Sequence, residues 1–200
     1  MPSVVKPKVL CFGYPTHCEQ ECLDNFLSKF DLHVSFQVNE VLCRITNIQQ
    51  TSEPGTRAET KRNLEKKVAK DGPFDALIVP MFTPLYEPFD EDLLGCLVPQ
   101  VKIVSSVSAG YNDFDVDWMT SQNIVFCNSR NAVCEPTADM TILMILAVVR
   151  NVKMLEKTMK AGEWRGKMGV YAPTDDPYGK VLGLIGLGAI GKVCDSNSHL

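Results

Sequence analysis

No apolar stretch of this chain comes near the roughly 18 residues needed to cross a bilayer. The longest, residues 140–149, is about half that, so no membrane partner is expected. The N-terminus Met1-Pro2-Ser3-Val4-Val5-Lys6-Pro7-Lys8 lacks the apolar core of a secretory signal and is poor in arginine for a mitochondrial one. A cytoplasmic address is the expectation. Charge of one sign is missing too, since 20 Lys+Arg against 24 Asp+Glu leave a net charge of -4. Lys61-Arg62 and Lys66-Lys67 alternate with Glu59 and Glu65, as on a solvated helix face, and no nucleic-acid partner is expected. Of the eight cysteines only Cys18 and Cys22, beside His17, lie close together, and without a second pair they do not make a metal site. Cys11 and Cys127, inside apolar runs, read as buried free thiols. No cysteine or serine carries a recognisable base motif, so no catalytic residue is assigned.

What is present is a 200-residue chain with 45% hydrophobic residues, enough for a buried core in one domain or two small ones. Strand-like and helix-like segments alternate along it. Residues 8–13, 32–38, 75–80, 101–107 and 124–127 read as strands, and residues 19–30, 58–70, 91–97 and 114–121 as helices between them. Strands separated by helices predict an α/β fold with a parallel sheet, whose ligands bind beyond the C-terminal strand ends. Of the loops there, Ser108-Ala109-Gly110-Tyr111-Asn112 has the small residues that bring backbone N–H groups close to an anion; an ordinary glycine turn would look the same. Residues 136–160 then read as one long helix. Its first half is apolar nearly all round, which predicts cover on more than one side, from a second domain or another subunit.

Near the C-terminus stands Val181-Leu182-Gly183-Leu184-Ile185-Gly186-Leu187-Gly188-Ala189-Ile190-Gly191. Residues 181–185 suit a buried parallel strand, and Gly186, Gly188 and Gly191 have the G-x-G-x-x-G spacing of a dinucleotide-binding turn. The first glycine permits the tight turn, the second lets a pyrophosphate approach, and the third lets the helix sit close. The helix start beyond them would offer free N–H groups to phosphate. A glycine-rich joint with no ligand is the plainer alternative. Residues 193–200 read as a polar tail rather than a helix.

Taken together, Val104-Ser105-Ser106-Val107-Ser108-Ala109-Gly110-Tyr111-Asn112, Asn131-Ala132-Val133 leading to Pro136-Thr137-Ala138-Asp139, Gly162-Glu163-Trp164 and the glycine turn resemble the N-terminal portion of a D-isomer-specific 2-hydroxyacid dehydrogenase, closest to the glyoxylate/hydroxypyruvate reductase branch. The resemblance implies a flavodoxin-like substrate domain over residues 1–130. Residues 131–200 would then hold an interdomain and dimerisation helix and the first strand-turn of an NAD(P)-binding Rossmann domain. It implies an NAD(P)-dependent oxidoreductase reducing a small 2-oxoacid such as glyoxylate or hydroxypyruvate, with NAD or NADP as cofactor. Ala109 and Gly110 would bind substrate; Thr137, Gly186, Leu187, Gly188, Ala189, Ile190 and Gly191 would bind cofactor, and the family implies a homodimer. The arginine, acidic residue and catalytic histidine of such enzymes match nothing here, since His17, His33 and His199 lie elsewhere in the pattern. The 200-residue chain is therefore expected to be inactive alone, the other reading being a non-catalytic dimerising or nucleotide-sensing fragment.

Overall fold

Four-residue strands whose buried side chains are mostly apolar are joined in this chain by helices that must cross over a sheet. The computed structural model describes residues 5–13, 18–34, 56–80, 87–163 and 174–198. His17, Trp164 and His199, residues 35–38 of the expected second strand, and residues 166–173 before the glycine turn lie outside them. Two compact units divide the chain, Met1–Arg130 and Asn131–Leu200.

In the first unit β1 (Lys8–Cys11), β2 (Asp31–Val34), β3 (Ala76–Val79), β4 (Ile103–Ser106) and β5 (Val125–Asn128) form one sheet in the order β2-β1-β3-β4-β5. Every pairing is parallel, Val9 facing Leu32 and Ala76, and Ile103 facing Val125. Parallel neighbours cannot be joined by tight turns. Helices α1 (Gln20–Lys29), α2 (Arg57–Asp71), α3 (Glu91–Leu94, continued by a 3-10 turn over Gly95–Leu97) and α4 (Val116–Ser121) stand between them in sequence. Leu10, Leu64, Leu77, Leu93 and Val104 belong to one buried cluster. Each fully buried leucine of this kind contributes about 1.5–3 kcal/mol.

Helix α2 shows how local sequence fixes an end. Thr56 Oγ1 accepts from the Glu59 N–H, and Glu59 Oε2 accepts from the Thr56 N–H at 2.8 Å, a reciprocal cap. Arg57 donates to the Pro88 carbonyl and the Asp90 carboxylate, while Lys61 pairs with Asp92. The start of α2 is thereby tied to the segment that enters α3. Hydrogen bonding to Lys61 holds the Asp92 carboxyl below the usual carboxylate range, and Lys67 does the same for Asp71.

Two expectations need correcting in this unit and the next. Cys11 is buried, but Cys127 is exposed, because β5 is the sheet edge and its alternation sends Val125 and Cys127 to a face left open to solvent. In the second unit the long helix is two: α5 (Cys134–Val149) and α6 (Val152–Lys160). Asn151 separates them in the left-handed region at φ 51°, a conformation asparagine tolerates better than most residues. Its carbonyl accepts from the Met154 and Leu155 N–H groups and so starts α6 afresh. Helix α7 (Ala189–Asn197) packs against α5. The buried residues of this pair, Cys134, Ala138 and Cys194, are small, which lets the helices approach closely. Met140, Leu143, Met144 and Val148 of α5 remain exposed.

Candidate functional site

The strand order reverses between β1 and β3, and ligands of open parallel sheets bind beside such a reversal, beyond the C-terminal strand ends. The loops leaving β1 and β3 run into residues 14–17 and 81–86, which lie outside the described ones; at the same end of the sheet, one strand further on, the loop after β4 is described. It rests on an aromatic floor: Phe89 stacks on Phe114 at 4.6 Å, and Phe114 meets Phe126 at 4.8 Å. Phe89 and Phe114 also form a parallel bridge, with the Phe89 N–H donating to the Asp113 carbonyl at 2.7 Å.

Above that floor, β4 ends in the buried Ser106. The Ser108 hydroxyl donates to the Gly110 carbonyl at 2.8 Å, so in its 2.6 Å contact with the Ser106 hydroxyl it must accept. The Ser108 N–H donates back to Ser106 Oγ at 3.2 Å. The next two carbonyls are taken as well: the Ser129 N–H donates to Ser108 O at 3.1 Å and Asn128 Nδ2 to Ala109 O at 2.7 Å. Among the described residues the N–H groups of Ala109 and Gly110 meet no acceptor. A Cβ added at Gly110 would touch nothing within 4 Å, so there is open space beside that backbone. Carbonyls engaged and adjacent N–H groups free is the arrangement that receives an anion.

Charge around the loop is not uniform. The Glu87 carboxyl is pushed up, chiefly by desolvation and further by Asp113, with which it hydrogen-bonds. The described histidine, His33, lies on β2, 3.0 Å from Asp31 and edge-on to Phe74, and not in this loop.

In the second unit the glycines have separable roles. Gly186 sits at φ +94°, where a side chain is strained. A Cβ on Gly191 would stand 2.5 Å from the Gly186 carbonyl oxygen, so its absence lets the helix close onto the turn. Gly188 is the N-cap of α7, has open space where its Cβ would be, and gives the helix no side-chain cap. The Gly188 carbonyl accepts from the Lys192 N–H at 3.0 Å, which leaves the Ala189, Ile190 and Gly191 N–H groups without a partner among the described residues. Leu187 is exposed at the tip of the turn. Thr137 lies in the first turn of α5, exposed, its carbonyl accepting from the Thr141 hydroxyl at 2.8 Å. Ala109 with Gly110 thus share one loop, and Gly186 to Gly191 one turn.

Two features differ from expectation. Residues 181–185 form no strand: Val181 is 96% and Ile185 106% exposed, because a strand needs a neighbour to complete its ladder and no described residue pairs with it. The expected polar tail is helical as far as Asn197. Its signal was the stripe Ile190, Val193, Cys194, Asn197 at i, i+3, i+4, i+7, with Cys194 buried. Asn128 carries no mark in the sequence, since nothing local identifies a strand-end asparagine as the partner of a loop 19 residues earlier.

The model of the D-isomer specific 2-hydroxyacid dehydrogenase catalytic domain matches residues 34–191. A dehydrogenase, efuE, of Hormonema carpetanum is 44% identical over 193 residues, 96% of this chain and 43% of that protein. Glyoxylate/hydroxypyruvate reductase B of Shigella dysenteriae is 32% identical over 102 residues, 51% of this chain and 32% of its own length. Among solved structures, a glyoxylate reductase from Paecilomyes thermophila superposes with a TM-score of 0.74 at 26% identity, covering 100% of this chain and 53% of that one. The chain spans half or less of the curated relatives it matches.

Proposed function

The chain belongs to the D-isomer-specific 2-hydroxyacid dehydrogenase family, and from that premise we propose that it carries the substrate loop and the pyrophosphate turn of an NAD(P)-dependent oxidoreductase reducing a small 2-oxoacid such as glyoxylate or hydroxypyruvate. The observation that carries this reading is the pair of N–H groups at Ala109 and Gly110 that meet no acceptor among the described residues, beside open space. They suit the carboxylate of such a substrate, because hydrogen bonds to an ionised acceptor are about twice as strong as neutral ones.

A nicotinamide dinucleotide fits the second unit, where Gly188 leaves room for a phosphate against the uncapped start of α7. Gly186, Leu187, Gly188, Ala189, Ile190 and Gly191 would hold its pyrophosphate, and Thr137 would touch it as well. When bound, that cofactor supplies the hydride. In this reading the residues of this chain bind and orient, and the 200 residues alone are expected to hold ligands without turnover. The exposed Met140, Leu143, Met144 and Val148 support a homodimer through α5. The uncapped start of α7 equally supports a binding fragment that senses nucleotide without catalysis.

Titration of the purified chain with NADH and NADPH, followed by nicotinamide fluorescence, tests the reading. Saturable binding of at least one dinucleotide is expected, lost in Gly188→Ala, with no oxidation when glyoxylate is added. A folded chain that binds neither dinucleotide refutes the cofactor assignment, and steady oxidation with glyoxylate refutes the absence of turnover.

A further inference from the structure

The two free N–H groups of the loop are not oriented by the loop itself. A peptide unit is planar and its C=O and N–H point in opposite directions, so fixing one fixes the other. The N–H of Ala109 belongs to the same plane as the carbonyl of Ser108, which the Ser129 N–H holds. The N–H of Gly110 shares its plane with the carbonyl of Ala109, which Asn128 Nδ2 holds at 2.7 Å. Both donors therefore take their direction from the end of β5.

The two ties differ in kind. Ser129 acts through its backbone, which any residue but proline would supply. Asn128 acts through a side-chain amide, and that side chain is half-buried at a strand end whose place is set by the β4 ladder, Ser106 facing Asn128. Its amide can be read in one orientation alone, since turning the oxygen towards Ala109 O would set two acceptors against each other. No other described group engages the Ala109 carbonyl. Without that bond the 109–110 peptide keeps only the restraint of its neighbours, the Ser108 and Gly110 carbonyls being held on either side, and Gly110, lacking a Cβ and meeting nothing within 4 Å, adds no steric resistance of its own to rotation.

We propose that Asn128 is the positioning residue for carboxylate binding by this loop: its amide pins the 109–110 peptide so that the Gly110 N–H stands beside that of Ala109 as a two-donor receptor for the carboxylate of a 2-oxoacid. The inference rests on the proposed substrate reading and adds to it the residue that makes the receptor rigid before ligand arrives. Asn128 itself need not touch the ligand.

The test is a titration of the 15N-labelled full chain with oxamate, an unreactive analogue of a 2-oxoacid, reading the Ala109 and Gly110 amide shifts. Both amides are expected to move together and saturate. Asn128→Ala should weaken oxamate binding by about tenfold or more and uncouple the Gly110 shift from that of Ala109, while amides of β1 and β3 keep their positions and show the sheet intact. Asn128→Asp has the same shape without the donor; it should bind weakly at neutral pH and recover as the introduced carboxyl takes up a proton, which a merely structural role would not produce. Oxamate binding to Asn128→Ala with unchanged affinity and unchanged Gly110 shift overturns the inference alone. Failure of either amide to respond in the unmodified chain overturns the substrate reading and this inference with it.

Discussion

Replacing Gly191 by alanine sets two effects of opposite sign against each other. Gly191 is the third residue of α7, and alanine in a helix is ordinarily better than glycine by about 1 kcal/mol. Propensity alone therefore predicts a stabilised helix. The structure predicts the reverse, because the new Cβ would lie 2.5 Å from the Gly186 carbonyl oxygen, and real Cβ atoms do not come within 3.0 Å of another heavy atom. The obstacle is backbone, and it belongs to a turn whose Gly186 is already at φ +94°. Turn and helix must part by about half an ångström, and forced overpacking of this kind costs about 1–3 kcal/mol. The net is a destabilisation of up to about 2 kcal/mol, borne by a helix of nine residues too short to persist without packing. Native-state hydrogen exchange of the Val193 and Cys194 amides is the assay. They should exchange up to about thirtyfold faster in Gly191→Ala. Gly188→Ala is the control: at φ -79° with nothing within 4 Å, its lost N-cap preference is offset by reduced unfolded-state entropy, and exchange should hardly change. Slower exchange in Gly191→Ala, or equal acceleration in both variants, would refute the reasoning.

Other consequences can be measured on the same chain. Leu77→Ala, at a side chain with no exposure in the middle strand, should lower urea-measured stability by about 2–5 kcal/mol; a loss under about 1 kcal/mol would mean the site collapses around the cavity. The depressed carboxyls of Asp71 and Asp92 make the folded state bind protons more weakly than the unfolded one, so their contribution is present above the ordinary carboxylate range and lost as pH falls through their folded values. Glu87, raised, acts in the opposite sense, its cost absent in acid and growing as pH rises through its ordinary range. Denaturation curves taken below about pH 4 should therefore be less steep in pH for the double variant Lys61→Met, Lys67→Met than for the parent, and parallel curves would dismiss both lysines.

The alternation of strand and helix was legible because a buried parallel strand is a short apolar run with crossover elements on either side. Residues 75–80 and 101–107 each contain one strand, β3 and β4. Helix α2 was legible to within a residue at each end, since its start is capped locally and Gly72-Pro73 follows it. What failed was whatever depends on partners distant in sequence. The run ending in Cys127 is apolar as a central strand would be, yet it is the edge; residues 181–185 have strand composition, yet no ladder. The break at Asn151 escaped for another reason, since a single left-handed residue leaves the apolar period on both sides undisturbed. In the loop, the small residues were visible in advance, whereas the side chain that orients them comes from the next strand.

The uncovered segment before the glycine turn has a consequence for the handling of this polypeptide. Val181, Leu182, Leu184 and Ile185 are β-favouring or bulky aliphatic residues, uncharged, free of proline and open to water. Such a stretch offers its amide and carbonyl rows to any matching stretch, and the matching stretch in greatest supply is the same one on another molecule. Concentration is thus expected to matter for this chain, cross-molecular pairing of the segment being favoured as it rises.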